Sequence, residues 1–144
     1  MCLITDNKEK QIAVEDIVVY KLLKRDLISQ IKYFQYKLGV LYETKIKEED
    51  KSEEIYWMAC CKLDNDYLRQ HYGNRADWIL NPNLICLSEG FHSAKNIEIL
   101  KTIQKESIGE LYKYKCIIPK GAEFYTDAVG FLVSNKIFIK SQIK

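Results

Sequence analysis

Six consecutive residues, Glu89-Gly90-Phe91-His92-Ser93-Ala94, bring together the side chains best suited to holding a small ligand. They follow an apolar run and precede a segment with helical periodicity. A helix N-terminus placed there would offer free backbone N–H groups to an anion. Gly90 permits close approach, Phe91 offers a face for stacking on a base or ring, and His92 can donate a hydrogen bond. Ser93 is read as the cap of the following helix. The plainer account is that Gly90 turns the chain, Phe91 anchors a core and Ser93 only caps.

Lys21 is the second candidate. It interrupts the apolar stretch Ile17-Val18-Val19-Tyr20-Lys21-Leu22-Leu23. Burying an unpaired ammonium is expensive, so this lysine needs a partner or a cleft, or must reach water along its stem. A helix N-terminus and a lysine together suit phosphate. The third candidate is Pro119-Lys120-Gly121-Ala122-Glu123-Phe124-Tyr125, which turn chemistry alone accounts for. No metal site is expected. His71 and His92 with Cys60, Cys61 and Cys86 carry suitable atoms, but no spacing among them matches a zinc site. No phosphate-loop, dinucleotide-binding or serine-elbow pattern occurs, so neither a catalytic residue nor a cofactor is expected.

The elements that must position these residues are mostly strands. Ile17–Leu23 is apolar on both faces apart from Lys21, as in a strand covered on both sides. Phe34, Tyr36, Leu38, Val40 and Tyr42 alternate with Gln35, Lys37 and Gly39, which predicts a half-buried strand over 34–42. The charge run in Ile46–Glu54 reads as a solvated loop, and Trp57–Cys61 as a short buried strand. Asp64 or Asn65 can cap a brief helix that Gly73 stops. Asn81-Pro82-Asn83 is a turn before a strand over Leu84–Leu87. Helical spacing of Ile97, Leu100 and Ile103 predicts a helix over 94–105, with Lys95, Glu98, Lys101 and Lys105 facing water. Leu111–Ile118 and Phe131–Lys140 read as two further strands. The fold class expected is α+β, an antiparallel sheet or partly closed barrel carrying about two helices.

With 144 residues the chain has the size of one domain, 1–144. Five cysteines (Cys2, Cys60, Cys61, Cys86, Cys116), odd in number and irregular in spacing, predict free thiols and a cytosolic setting. Its start is no secretion signal, and no window approaches the roughly 20 apolar residues of a membrane span. A net charge of only +2 gives no reason to expect nucleic acid or an anionic membrane as partner.

Five short words stand in order along the chain: V-V-Y-K near residue 20, F-Q-Y-K-L-G-V-L-Y-E at 34–43, G-F-H-S-A at 90–94, I-P-K-G-A-E-F-Y at 118–125 and V-S-N-K-I-F-I at 133–139. The series resembles a group of small proteins encoded by bacteriophages and prophages. The resemblance covers most of the chain and implies an accessory or counter-defence factor working in the host cytosol. Such a factor would be non-enzymatic, sequestering a nucleotide-like ligand or blocking a host defence protein, as a monomer or a homo-oligomer. Lys21, Gly90, Phe91, His92 and Ser93 are the ligand-binding residues expected. The same order also resembles ADP-ribosyltransferase-like folds. There Lys21 stands for the first-strand arginine, Phe91-His92-Ser93 for the Ser-Thr-Ser-like triplet, and Asp127 lies nearest the C-terminal acid. That resemblance implies an enzyme as the alternative.

Overall fold

A computed structural model describes residues 3–30, 34–61, 64–106 and 109–144. Cys2 lies outside them, as do the side chains of His71, Ile103 and Lys105. The fold is α+β: among the described residues, four α-helices and eleven strands, all antiparallel, lie in a large sheet and a small one.

The strands in chain order are β1 (Leu3–Thr5), β2 (Gln11–Ile12), β3 (Ile17–Leu23), β4 (Leu41–Glu43), β5 (Lys47–Glu48) and β6 (Ile85–Glu89). They continue with β7 (Phe91–Ala94), β8 (Tyr112–Ile118), β9 (Glu123–Thr126), β10 (Phe131–Ser134) and β11 (Lys136–Ile143). The helices are α1 (Ser52–Cys61), α2 (Asn65–Tyr72), α3 (Asn74–Leu80) and α4 (Ile97–Glu106). The small sheet runs β1-β6-β5 and the large one β2-β9-β10-β7-β3-β8-β11-β4.

That order contains a geometric constraint. Only Asn135 separates β10 from β11, yet three strands stand between them in the sheet. Two backbone steps span at most about 7 Å. The end of β10 and the start of β11 are therefore neighbours in space, and the sheet curls steeply without closing into a barrel. Asn135 secures the corner: its N–H donates to the Glu123 carbonyl at 3.0 Å and its Oδ1 accepts from the Glu123 N–H at 2.8 Å. The main core fills the curl, with Val19 and Leu23 of β3, Cys116 and Ile118 of β8, and Ile137 and Ile139 of β11 fully or almost fully buried.

β3 lies over the whole length of β8, from Ile17↔Ile118 to Leu23↔Tyr112. On its other side it meets β7 at a single pair, Tyr20↔Ala94, after which the two strands diverge. On one face of this junction α4 packs Leu100 against Leu22 and Ala94. α3 covers the small sheet through Trp78 and Ile79, which meet Cys86 of β6. There Lys51 Nζ donates to the carbonyls of Trp78, Asn81 and Leu84 at 3.0, 2.7 and 3.1 Å, tying the chain before α1 to the end of α3.

Several sequence expectations give way to longer-range structure. The stretch 34–42 is no continuous strand: the chain turns at Gly39 (φ +77), Gln35 before the turn bridges to Ile28, and Leu41–Glu43 after it pairs with Lys136–Phe138. Trp57–Cys61 belongs to α1 rather than to a buried strand, and Ile55, Tyr56 and Trp57 are exposed on it. The charge run assigned to a loop supplies that helix's start. Asp50 Oδ1 accepts from the Ser52 N–H at 2.9 Å, and Glu53 and Glu54 lie in the first turn, favoured by the helix dipole. Lys47–Glu48 from the same run pairs with β6. Four helices form where about two were expected. The strand expected over 131–140 is two strands in different parts of the sheet, divided at Asn135. α2 follows its local signals, with Asp64 Oδ1 accepting from Tyr67 N–H at 2.8 Å and Gly73 ending the helix.

Candidate functional site

The gap between β3 and β7 holds a cavity of about 340 Å³, lined from the main-core side by Leu23, Tyr36 and Phe91 and from the α4 side by Leu22, Leu100 and Phe131. One wall is β3, with Lys21 and Leu23, and another is β7, with Phe91, His92 and Ser93. Phe34, Tyr36, Tyr42, Glu43 and Thr44 form the side opposite, and Gly90 lies at the turn into β7. The five residues singled out in the sequence, Lys21, Gly90, Phe91, His92 and Ser93, thus border one cavity.

The local structure around them differs from the sequence expectation in one respect. Phe91–Ala94 is a strand, paired with β10 from Phe131↔Ala94 to Ser134↔Phe91. Ser93 caps no helix. α4 begins four residues later, and its capping contact comes from Asn96, whose Oδ1 accepts from the Ile99 N–H at 3.1 Å. Asn96 and Ile97 do not line the cavity, so the anion-binding N–H groups expected at 90–93 are absent from its wall. Ser93 competes for a different role. Its hydroxyl is buried and, among the described residues, has no hydrogen-bond partner.

Lys21 is 8% exposed, on the core side of β3. Its ammonium donates to the His92 carbonyl and stands 5.6 Å from the centre of the Tyr36 ring. No described carboxylate lies within ion-pairing distance of it. Desolvation pulls its pKa from 10.5 down to about 8, so at neutral pH it remains mainly a buried cation. Burial, and then the nearby Lys21 charge, push His92 down to about 4. The neutral imidazole has its Nε2 3.3 Å from the Leu87 carbonyl. Burial also raises Cys116 to about 12 and raises Tyr36 well above the ordinary phenol value. Lys21 is therefore charged beside the neutral Cys116, Tyr36 and His92 side chains, while the cavity's carboxylate, Glu43, pairs with Lys136 at 3.6 Å.

The aromatic wall is a packed cluster. Phe34, Tyr36 and Tyr42 meet edge to face with centroids 4.8, 5.4 and 5.2 Å apart, and Tyr36 also meets Phe91 at 6.3 Å. The Tyr42 hydroxyl accepts from the Lys37 N–H at 2.8 Å and holds the intervening turn. Alternation in the sequence marked these rings as one strand face and missed their role as a cavity wall. Glu43 and Thr44 were missed as well; Glu43 also pairs with Lys136 at 3.6 Å.

The chain matches no family model, no curated protein and no solved structure.

The remaining candidates lie away from the cavity. Pro119–Ala122 is a turn leading into β9 and stitched to the N-terminal segment: Gly121 N–H donates to the Ala13 carbonyl and Lys120 N–H to Asp16 Oδ1. Cys60, Cys61, Cys86 and Cys116 are free thiols, and no group of three or more metal-ligating residues occurs among the described ones. No described helix is long and apolar enough to cross a membrane.

Asp127, the acid wanted by the ADP-ribosyltransferase-like ordering, is outside the cavity lining. Its Oδ1 accepts from the N–H groups of Val129, Gly130 and Phe131 at 3.0, 2.8 and 2.9 Å and shapes the β9–β10 turn. Asp127→Ala should therefore lower stability by about 1–3 kcal/mol, the scale for losing hydrogen bonds to a carboxylate. Urea unfolding measures that loss. Ligand affinity of the folded protein should not change, and a large affinity loss at unchanged stability would return Asp127 to the site.

Proposed function

We propose that this protein binds a small, flat, negatively charged ligand of nucleotide-like kind in the cavity between β3, β7 and the 34–44 segment, and acts by sequestration without turnover. One observation carries the reading: a buried ammonium, Lys21, with no carboxylate beside it, on the wall of an aromatic-lined cavity. Such a cation is costly in the empty protein and becomes favourable once a ligand supplies the counter-charge. Phe34, Tyr36 and Phe91 give ring faces and edges for a planar body. Ligand pockets in proteins run from about 300 to 1,000 Å³, so this one suits a compact molecule. The biological setting we infer is a phage-encoded accessory or counter-defence factor in a host cytosol. There, withholding a small signal needs no catalytic machinery.

Direct blockade of a defence protein is the second reading. The exposed Ile55, Tyr56 and Trp57 of α1 favour it, since large apolar groups grouped on one helix suit a protein contact.

Mass spectrometry of molecules released by heat from the purified protein tests both readings. A small anion is expected near one per chain from the native protein and to be missing from Lys21→Met, which should bind it more weakly by about 1–3 kcal/mol. Protein without any such molecule, forming a stable complex with one host polypeptide through α1, would replace the first reading by the second.

A further inference from the structure

Sequestering an anion explains the charge on Lys21 but makes no use of its amine as a nucleophile. Beside it stand the Cys116 thiol of β8, the Tyr36 phenol and the neutral His92 of β7, none anionic at neutral pH; Tyr42 and Glu43 line the same cavity, and Glu43 is paired with Lys136. With a titration near pH 8, about a tenth of Lys21 is uncharged at pH 7, against well below a thousandth for an ordinary lysine. A desolvated lysine in an apolar pocket is the form in which this side chain attacks carbonyl compounds. A second observation points to the same chemistry. The register that pairs Tyr20 with Ala94 brings Ser93 next to Lys21, and Ser93 Oγ is buried on the cavity wall with no partner among the described residues. It is free both to donate to an oxygen and to accept from one.

We propose that Lys21 captures small aromatic aldehydes as an imine, with the Ser93 hydroxyl holding the carbonyl oxygen. The amine lone pair attacks the carbonyl carbon, and the C–N bond forms as the carbonyl π pair moves to oxygen. A nitrogen-bound proton passes to that oxygen by way of Ser93, giving a carbinolamine. Loss of the remaining nitrogen proton with the hydroxyl releases one water and leaves C=N. No oxidant, reductant or metal enters the balance. The inference rests on the reading that the cavity admits a flat molecule, so its test uses two probes on one ring.

The native protein is incubated at pH 7 with 4-hydroxybenzaldehyde and cyanoborohydride, which reduces the imine to a stable secondary amine, and the labelled peptides are mapped. Labelling of Lys21 is expected at least tenfold faster than the mean of the other lysines, and Ser93→Ala should slow it several-fold with the fold retained by thermal melt. 4-Hydroxybenzoate, which cannot form an imine, should compete with the aldehyde for Lys21. Uniform labelling despite measurable calorimetric binding of 4-hydroxybenzoate overturns the imine and leaves the binding reading intact. Uniform labelling with no benzoate binding overturns both. Unchanged Lys21 labelling in Ser93→Ala removes the serine from the proposal.

Discussion

Lys21→Met should fold more stably than the native chain at pH 7, by about 1–3 kcal/mol, while taking up ligand poorly. Burial lowers the Lys21 pKa from 10.5 to about 8, and each unit corresponds to about 1.4 kcal/mol between protonation states. Charged Lys21 therefore costs the folded protein about 3 kcal/mol wherever both folded and unfolded chains keep the proton, below about pH 8. Methionine fills a similar volume without charge. Part of the gain is offset because the His92 carbonyl loses its donor, a loss of about 1 kcal/mol where water from the open cavity can replace it.

The sign of the pH dependence makes this prediction specific. Between about pH 8 and 10.5 the folded chain binds fewer protons at Lys21 than the unfolded chain does, so native stability rises with pH across that window. The advantage of Lys21→Met should shrink over the same range. Cys116, raised to about 12, contributes in the opposite direction above about pH 9, but it is present in both proteins and largely drops out of their difference. Urea unfolding of both chains at pH 7 and pH 9.5 measures the effect. A variant less stable than the native chain at pH 7, or an advantage that stays constant with pH, would mean that Lys21 is not a desolvated cation. A residue at a cavity that lowers stability fits the stability–function trade-off expected of the proposed binding site.

Lys21 was legible in the sequence because its signal is local: one charge in an otherwise apolar strand needs no tertiary information to be anomalous. The same holds for α2, where Asp64 and Gly73 sit at the ends of the helix they delimit. Ser93 was misread for the opposite reason. A serine before a helical pattern looks like a cap, and only the pairing of Phe91–Ala94 with Phe131–Ser134, nearly forty residues on, extends the strand through it. The tyrosine wall was equally hidden. Tyr36 and Tyr42 share a period-2 face, but the turn at Gly39 gathers them with Phe34 into a cluster. The division of the last apolar run at Asn135 depends on a bond to Glu123 that spacing cannot show. Local patterns thus marked which residues were unusual, and long-range pairing decided how they meet.

Gly90→Ala should cost about 2–6 kcal/mol of stability while leaving ligand affinity of the folded molecules nearly unchanged. Gly90 joins β6 of the small sheet to β7 of the large one and has φ +132, a region that L-residues enter at a cost of about 1–3 kcal/mol. A Cβ there would collide with Val133 Cγ1 and stand 3.3 Å from the Ser134 carbonyl oxygen. Val133 is fully buried and cannot swing away, so overpacking adds about 1–3 kcal/mol. The added methyl would point at β10, so the packing of the two sheets by itself requires a glycine here. Removing the Val133 methyls tests the mechanism. In the Gly90→Ala background, Val133→Ala should cost less than it does alone, giving a favourable coupling in a double-mutant cycle. Denaturant unfolding of the four proteins, with calorimetric titration of the released ligand below every melting point, separates the two roles. A stable Gly90→Ala protein with weakened binding would assign this glycine to the ligand and overturn the packing account.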